Sequence, residues 1–152
     1  MLKLEQLRYE HDFTKRKVSK LLNVSESMYC RWENEMAIIP SRRIYELANY
    51  YHVNIDYMMG LTAYRIELIT SDEIDIKVVS TRVREIREGM NETLNQFTKR
   101  LNTSSSTWSA YETGKVLILS AFLLELTKFT DYSLDWMLGR SNDKYIHKVD
   151  RK

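Results

Sequence analysis

Residues 14–33 read TKRKVSKLLNVSESMYCRWE, and the pattern in them sets how the rest of the chain is understood. Thr14 stands where it can cap a helix on which Val18, Leu21 and Leu22 fall at helical spacing. Asn23 supplies the turn, because asparagine enters the left-handed region at low cost and lets a helix stop without glycine. Ser25 then caps a second helix. That helix turns Tyr29 and Trp32 to one side and Glu26, Ser27, Cys30 and Arg31 to the other. A helix with a dry inner face and a polar, arginine-bearing outer face suits the major groove of DNA.

The same pattern returns 79 residues later without a gap. Thr14 falls on Thr93, Leu22 on Leu101, Asn23 on Asn102, Ser25 on Ser104 and Glu33 on Glu112. The register also holds outside this stretch, with Arg8 on Arg87, Ser41 on Ser120, Asp56 on Asp135 and Gly60 on Gly139. Other positions swap like for like, as Tyr29 with Trp108 and Trp32 with Tyr111. The sequence therefore predicts a tandem duplication of a unit of roughly 60 residues.

Composition agrees with two small helical units. Of 152 residues, 43% are hydrophobic and 29% charged, with only four glycines and one proline, which favours helices with short connections. A single cysteine excludes an internal disulfide and fits a reducing cytoplasm, the compartment expected here. Neither a membrane-spanning apolar run nor the apolar block of a signal peptide is present. Net charge is only +2, so distribution matters more than balance. Positive residues gather at Lys15, Arg16, Lys17 and Lys20, with Arg31, Arg42 and Arg43 downstream.

The expected order is a five-helix unit over residues 1–62, a connector over 63–77, a second five-helix unit over 78–140 and a basic, mobile tail over 141–152. In the first unit Leu4 and Leu7 point inward from helix 1, Ser41 caps a fourth helix, and Asn54 caps a fifth ending at Gly60. In the connector, Ile66, Leu68, Ile74 and Ile76 alternate with polar residues, as in a small hairpin. A helix capped by Ser71 is the equal alternative.

Both units resemble the Cro/cI-type helix-turn-helix domains of the XRE family, to which many phage repressors belong. The residues carrying the resemblance in the first unit are Leu7-Arg8, Thr14 through Glu33, Pro40-Ser41, Val53 through Asp56, and Gly60. In the second they are Ile86-Arg87, Thr93, Asn102 through Glu112, Gly114-Lys115, Ser133 through Asp135, and Gly139. The resemblance implies an all-α fold of two lambda-repressor-like domains and a repressor-like regulator that binds specific double-stranded DNA as a homodimer. It further implies structural ion pairs of Arg8 with Glu33 and of Arg87 with Glu112.

Base-facing positions carry over to Ser25, Glu26, Ser27 and Arg31, and phosphate-facing ones to Lys15, Arg16, Lys17, Lys20 and Arg43. Arg31 is the foremost base reader, since its forked guanidinium matches guanine N7 and O6. Glu26 can accept from cytosine N4, or it is simply a charge favoured at a helix N-terminus. The second unit offers Ser104, Ser105, Ser106 and Lys115. It departs from the first where Arg31 becomes Ala110, Lys15 becomes Leu94 and Arg43 becomes Phe122. Family alanine in helix 2 is replaced by Ser19 and Thr98, which is expected to loosen the contact between helices 2 and 3. The second unit is accordingly expected to pair domains or chains, using the apolar run Leu117–Leu124. A protein-binding module on the same fold, such as an antitoxin-like partner or a phage-encoded inhibitor, is the rival reading.

No enzyme, cofactor, metal site or small-molecule ligand is expected. Cys30 has no histidine or aspartate at motif spacing, and His11, His52 and His147 are scattered. Tyr45, Tyr50, Tyr51 and Tyr57 suit a core or subunit interface better than a base-stacking platform.

Overall fold

A computed structural model describes residues 1–148, and among these the chain forms ten α-helices, with two isolated β-bridges as its only extended pairing. Val149–Lys152, the end of the expected basic tail, lie outside the described residues. Contacts divide the chain into two compact units. The first comprises Met1–Glu73 with the segment that begins at Ile146, and the second Ile74–Tyr145.

The first unit holds α1 (Leu4–Glu10), α2 (Lys15–Leu21), α3 (Glu26–Glu33), α4 (Ser41–Tyr51) and α5 (Ile55–Met58). Thr14 Oγ1 accepts from the Lys17 amide at 3.0 Å, and Ser25 Oγ from the Met28 amide at 3.1 Å, so each hydroxyl satisfies a donor that the helix itself leaves over. Asn23 takes φ +55° between them. The core gathers Leu4, Leu7, Val18, Leu22, Tyr29, Trp32, Ile44, Leu47, Tyr51 and Ile55. Leu21, expected on one face with Val18 and Leu22, is instead 43% exposed while those two are buried. Tyr45, Tyr51 and Tyr57 are buried, and Tyr50 lies at the surface, donating to the Leu21 carbonyl.

The segment after Gly60 follows neither expected course. Val53 and Glu67 form an antiparallel bridge, with Asn54 N donating to Ile66 O at 3.1 Å and Leu68 N to His52 O at 3.0 Å. The alternation at Ile66 and Leu68 is thus real extended chain, but its partner is the stretch before α5 rather than a second hairpin arm. Ser71 caps no helix. Its hydroxyl donates to the Glu73 carbonyl, and its own carbonyl accepts from Tyr45.

The second unit holds α6 (Ile76–Gly89), α7 (Leu94–Arg100), α8 (Ser105–Glu112), α9 (Ser120–Phe129) and α10 (Leu134–Met137). Asp75 caps α6, accepting from the Lys77 amide. Thr93 and Gln96 form a reciprocal capping box on α7, and Ser104 caps α8. Helices α2, α3 and α5 recur at the offset of 79 residues as α7, α8 and α10 with the same lengths. The left-handed residues Asp12, Asn23 and Gly60 recur as Asn91, Asn102 and Gly139.

A further correspondence lies beyond the glycines. The Tyr57 ring is flanked by Lys3 Nζ at 5.9 Å and Arg65 Cζ at 5.5 Å, and the Trp136 ring by Arg82 Cζ at 5.1 Å and Lys144 Nζ at 5.5 Å. All three partners obey the same offset, so in each unit two cations approach the matching aromatic ring. Ser141–Tyr145, expected to be mobile, are consequently tied down. Arg82 donates to the Ser141 carbonyl at 2.9 Å, Ser133 N donates to Lys144 O, and Tyr132 and Tyr145 form a bridge with their rings stacked 5.3 Å apart.

Candidate nucleic-acid interface

Helices α2 and α3 pack directly on each other, as α7 and α8 do. At these contacts lie Ser19 and Thr98, both buried at 3% exposure. Their hydroxyls bond back to their own helices, Ser19 to the Arg16 carbonyl at 2.8 Å and Thr98 to the Leu94 carbonyl at 2.9 Å. Neither hydroxyl is therefore left unsatisfied where it is buried.

The far end of α3 is tied to α1. Arg8 Nε lies 2.6 Å from Glu33 Oε1, Arg8 Nη2 lies 3.3 Å from Glu33 Oε2, and Nη1 donates to the Phe13 carbonyl at 3.1 Å. The carboxylate holds the Arg8 guanidinium above its ordinary range, outweighing desolvation. Arg87 and Glu112 repeat the fork at 2.7 and 2.8 Å, with Arg87 Nη1 on the Glu92 carbonyl. Behind α3, the Tyr29 and Tyr51 hydroxyls meet at 2.9 Å in the core. Burial pushes the Tyr29 phenol well up and that of Tyr51 up to about 12. Helix α3 is thus held at both ends and along its inner face.

Its outer face carries Glu26, Ser27 and Arg31, all exposed. Ser25 spends its hydroxyl on the cap. Arg31 reaches only a long 3.5 Å contact to the Met36 carbonyl. On α2, Arg16 and Lys20 are exposed, while Lys17 Nζ lies 4.4 Å from the Phe13 ring. Lys15 is half-buried and crosses to α3, its Nζ 3.6 Å from Cys30 Sγ. Lys15, Arg16 and Glu26 share a cleft of about 490 Å³ with Tyr9 and Phe13. Arg43 lies on α4, paired with Glu46 at 2.8 Å.

The second unit presents a different surface on the same frame. Ser104 serves as cap, Ser105 Oγ donates to Asn95 Oδ1 at 2.6 Å, and Ser106 and Lys115 are exposed. Tyr9 and Phe13 are replaced by Glu88 and Glu92, which pair with Arg84 and Arg100. Phe122 packs edge-on against Trp108 at 5.7 Å. Within Leu117–Leu124, Ile118 and Leu123 are buried, whereas Leu119 is 57% exposed beside Val116 at 51%.

Sequence reasoning passed over two surface residues of the first unit, Tyr9 at 63% exposure and Met28 at 37%. Met28 was findable, since it stands only about 60° around the helix from Arg31. Among the described residues no group of three or more histidine, cysteine, aspartate or glutamate side chains could hold a metal. Among the same described residues no helix is long and apolar enough to cross a membrane.

The helix-turn-helix family model matches residues 4–58, which run from the start of α1 to the end of α5. YobD of Bacillus subtilis (strain 168), an uncharacterized HTH-type transcriptional regulator, is 30% identical over 86 residues, 57% of this chain and 69% of that protein. No solved structure matches the chain. By the match to its first unit and the share of YobD it covers, the chain belongs to the XRE-type helix-turn-helix family.

Proposed function

We propose that the chain is a sequence-specific double-stranded DNA-binding transcriptional regulator. Its first unit reads the major groove, and its second pairs domains or chains. The observation that carries this reading is the exposed Arg31 on the outer face of α3, a helix packed on the cation-bearing α2, against an α8 whose matching residue is Ala110. Arg31 takes guanine; Ser27 and Glu26 face neighbouring base edges; Arg16, Lys17 and Lys20 meet phosphates, with Lys15 and Arg43 at the margins. Ser104, Ser105, Ser106 and Lys115 give the second unit weak, uncharged contacts at most, apart from one lysine. A homodimer would present two Ser25–Arg31 segments to a two-fold site with recognition helices about 34 Å apart.

Selection of a random duplex library with the intact chain at moderate salt tests the reading. Enrichment of one sequence is the expected result. Recovery of no sequence would transfer the fold to the rival role of a protein-binding module, which the net charge of only +2 favours.

A further inference from the structure

Met28 follows Ser27 on α3 and carries a large apolar side chain that is 37% exposed. A single exposed apolar residue needs no explanation. Met28 is not single. Met36 and Ile38, in the loop that leaves the same helix, are each 68% exposed, and the Met36 carbonyl is the group that Arg31 reaches. Met28 thus gives α3 an apolar flank about 60° around the helix from Arg31, and the loop after the helix adds two more exposed apolar side chains. In the second unit the three positions hold Thr107, Lys115 and Leu117, so the feature belongs to the unit with the basic α2.

The major groove offers one apolar group to such a flank, the C5-methyl of thymine. We propose that Met28 is a specificity-determining residue that packs on a thymine methyl beside the guanine taken by Arg31. The inference rests on the DNA-reading role of the first unit. Met28 and Arg31 are three residues apart, a rise of about 4.5 Å, which compares with about 3.4 Å between base pairs. The thymine therefore lies within two base pairs of the guanine. Methionine suits the task, because an unbranched thioether adapts to the shape it meets.

The test uses the full chain and the sequence it selects from the random library. Each thymine is replaced in turn by deoxyuridine, which removes the methyl and leaves every hydrogen bond in place. The expected result is one thymine within two pairs of the Arg31-dependent guanine whose replacement weakens binding about fourfold, the worth of one buried methyl group. Met28→Ala should bind the thymine and uracil duplexes alike while keeping its preference for the guanine. Met28→Gln, similar in length but polar, should do the same and guards against a packing effect of truncation. Uniform tolerance of uracil, or a uracil effect that persists in both variants, would overturn the inference while leaving DNA reading intact. Failure to select any sequence would overturn both.

Discussion

Arg8 and Glu33 are joined by a two-pronged contact, 2.6 and 3.3 Å, whose side chains are only 6% and 1% exposed. One partner comes from α1 and the other is the last residue of α3, so the pair ties the end of α3 to α1. Removing one side strands the other charge in a shielded site. Arg8→Ala or Glu33→Gln should cost about 3–5 kcal/mol in denaturant unfolding. Base preference should be unaltered in whatever fraction remains folded. A stable variant with changed sequence preference would instead make the pair part of the reading surface.

The tyrosine pair gives the first unit an alkaline pH dependence seated in its core, while burial also raises the Tyr111 and Tyr132 phenols of the second unit. Tyr29 and Tyr51 are both raised above the usual phenol value by burial, so the folded state keeps protons that the unfolded chain releases near pH 10. Their contribution is fully present below that pH and is lost as pH rises toward the folded value of about 12 for Tyr51. Unfolding monitored between pH 9 and 12 should show stability falling, with phenolate absorbance appearing together with loss of helix. Tyr29→Phe should flatten that slope. The corresponding pair in the second unit is Trp108 and Thr130, which supplies no phenol.

Much of this frame was legible in the chain because caps and turns leave short-range signatures. Thr14, Asn23 and Ser25 announce helix, turn and helix, and the 25-residue separation of Arg8 and Glu33 recurs intact at Arg87 and Glu112. What escaped depends on partners distant in sequence. Glu67 bridges Val53, but Tyr145 bridges Tyr132, a loop one residue shorter, so the gapless register fails just where the two extended segments begin. Ser141–Tyr145 look like a polar tail until Arg82 and the stacked Tyr132 are known to hold them. In the candidate site, residue types showed which faces are polar. They did not show that Lys15 crosses toward Cys30 or that Arg43 is engaged by Glu46.

Those engagements grade the proposed phosphate contacts. Arg16 and Lys20 are exposed and should each flatten the salt dependence of binding by about 0.9 in slope when changed to glutamine, weakening all sequences alike. Arg43→Gln should do less, because the ion pair to Glu46 already neutralises part of its charge. Arg31→Ala should relax choice at one base pair, at a cost of about 1–3 kcal/mol on the preferred site. Titrations of preferred and scrambled duplexes at several salt concentrations separate the two behaviours. Equal losses on both duplexes for Arg31→Ala would remove it from base reading.

The proposed division of labour between the units turns on Leu119 and Val116, which stand 57% and 51% exposed in the chain that follows α8, a helix with no arginine. If this apolar surface pairs two chains, a charge placed there should separate them without harming the fold. Leu119 is well suited to the change, because it is the cap residue of α9 and makes no capping hydrogen bond. An aspartate there can accept from the first-turn amides, so Leu119→Asp should hold or raise thermal stability. The same charge would have to be desolvated in a paired interface, which is costly. Light scattering on the intact chain should give a dimer, and on Leu119→Asp a monomer with unchanged helical content. Affinity for a two-fold site should fall toward that for a half-site, while the guanine preference set by Arg31 persists. A wild-type monomer, or a Leu119→Asp variant that still dimerises, would remove this surface from chain pairing.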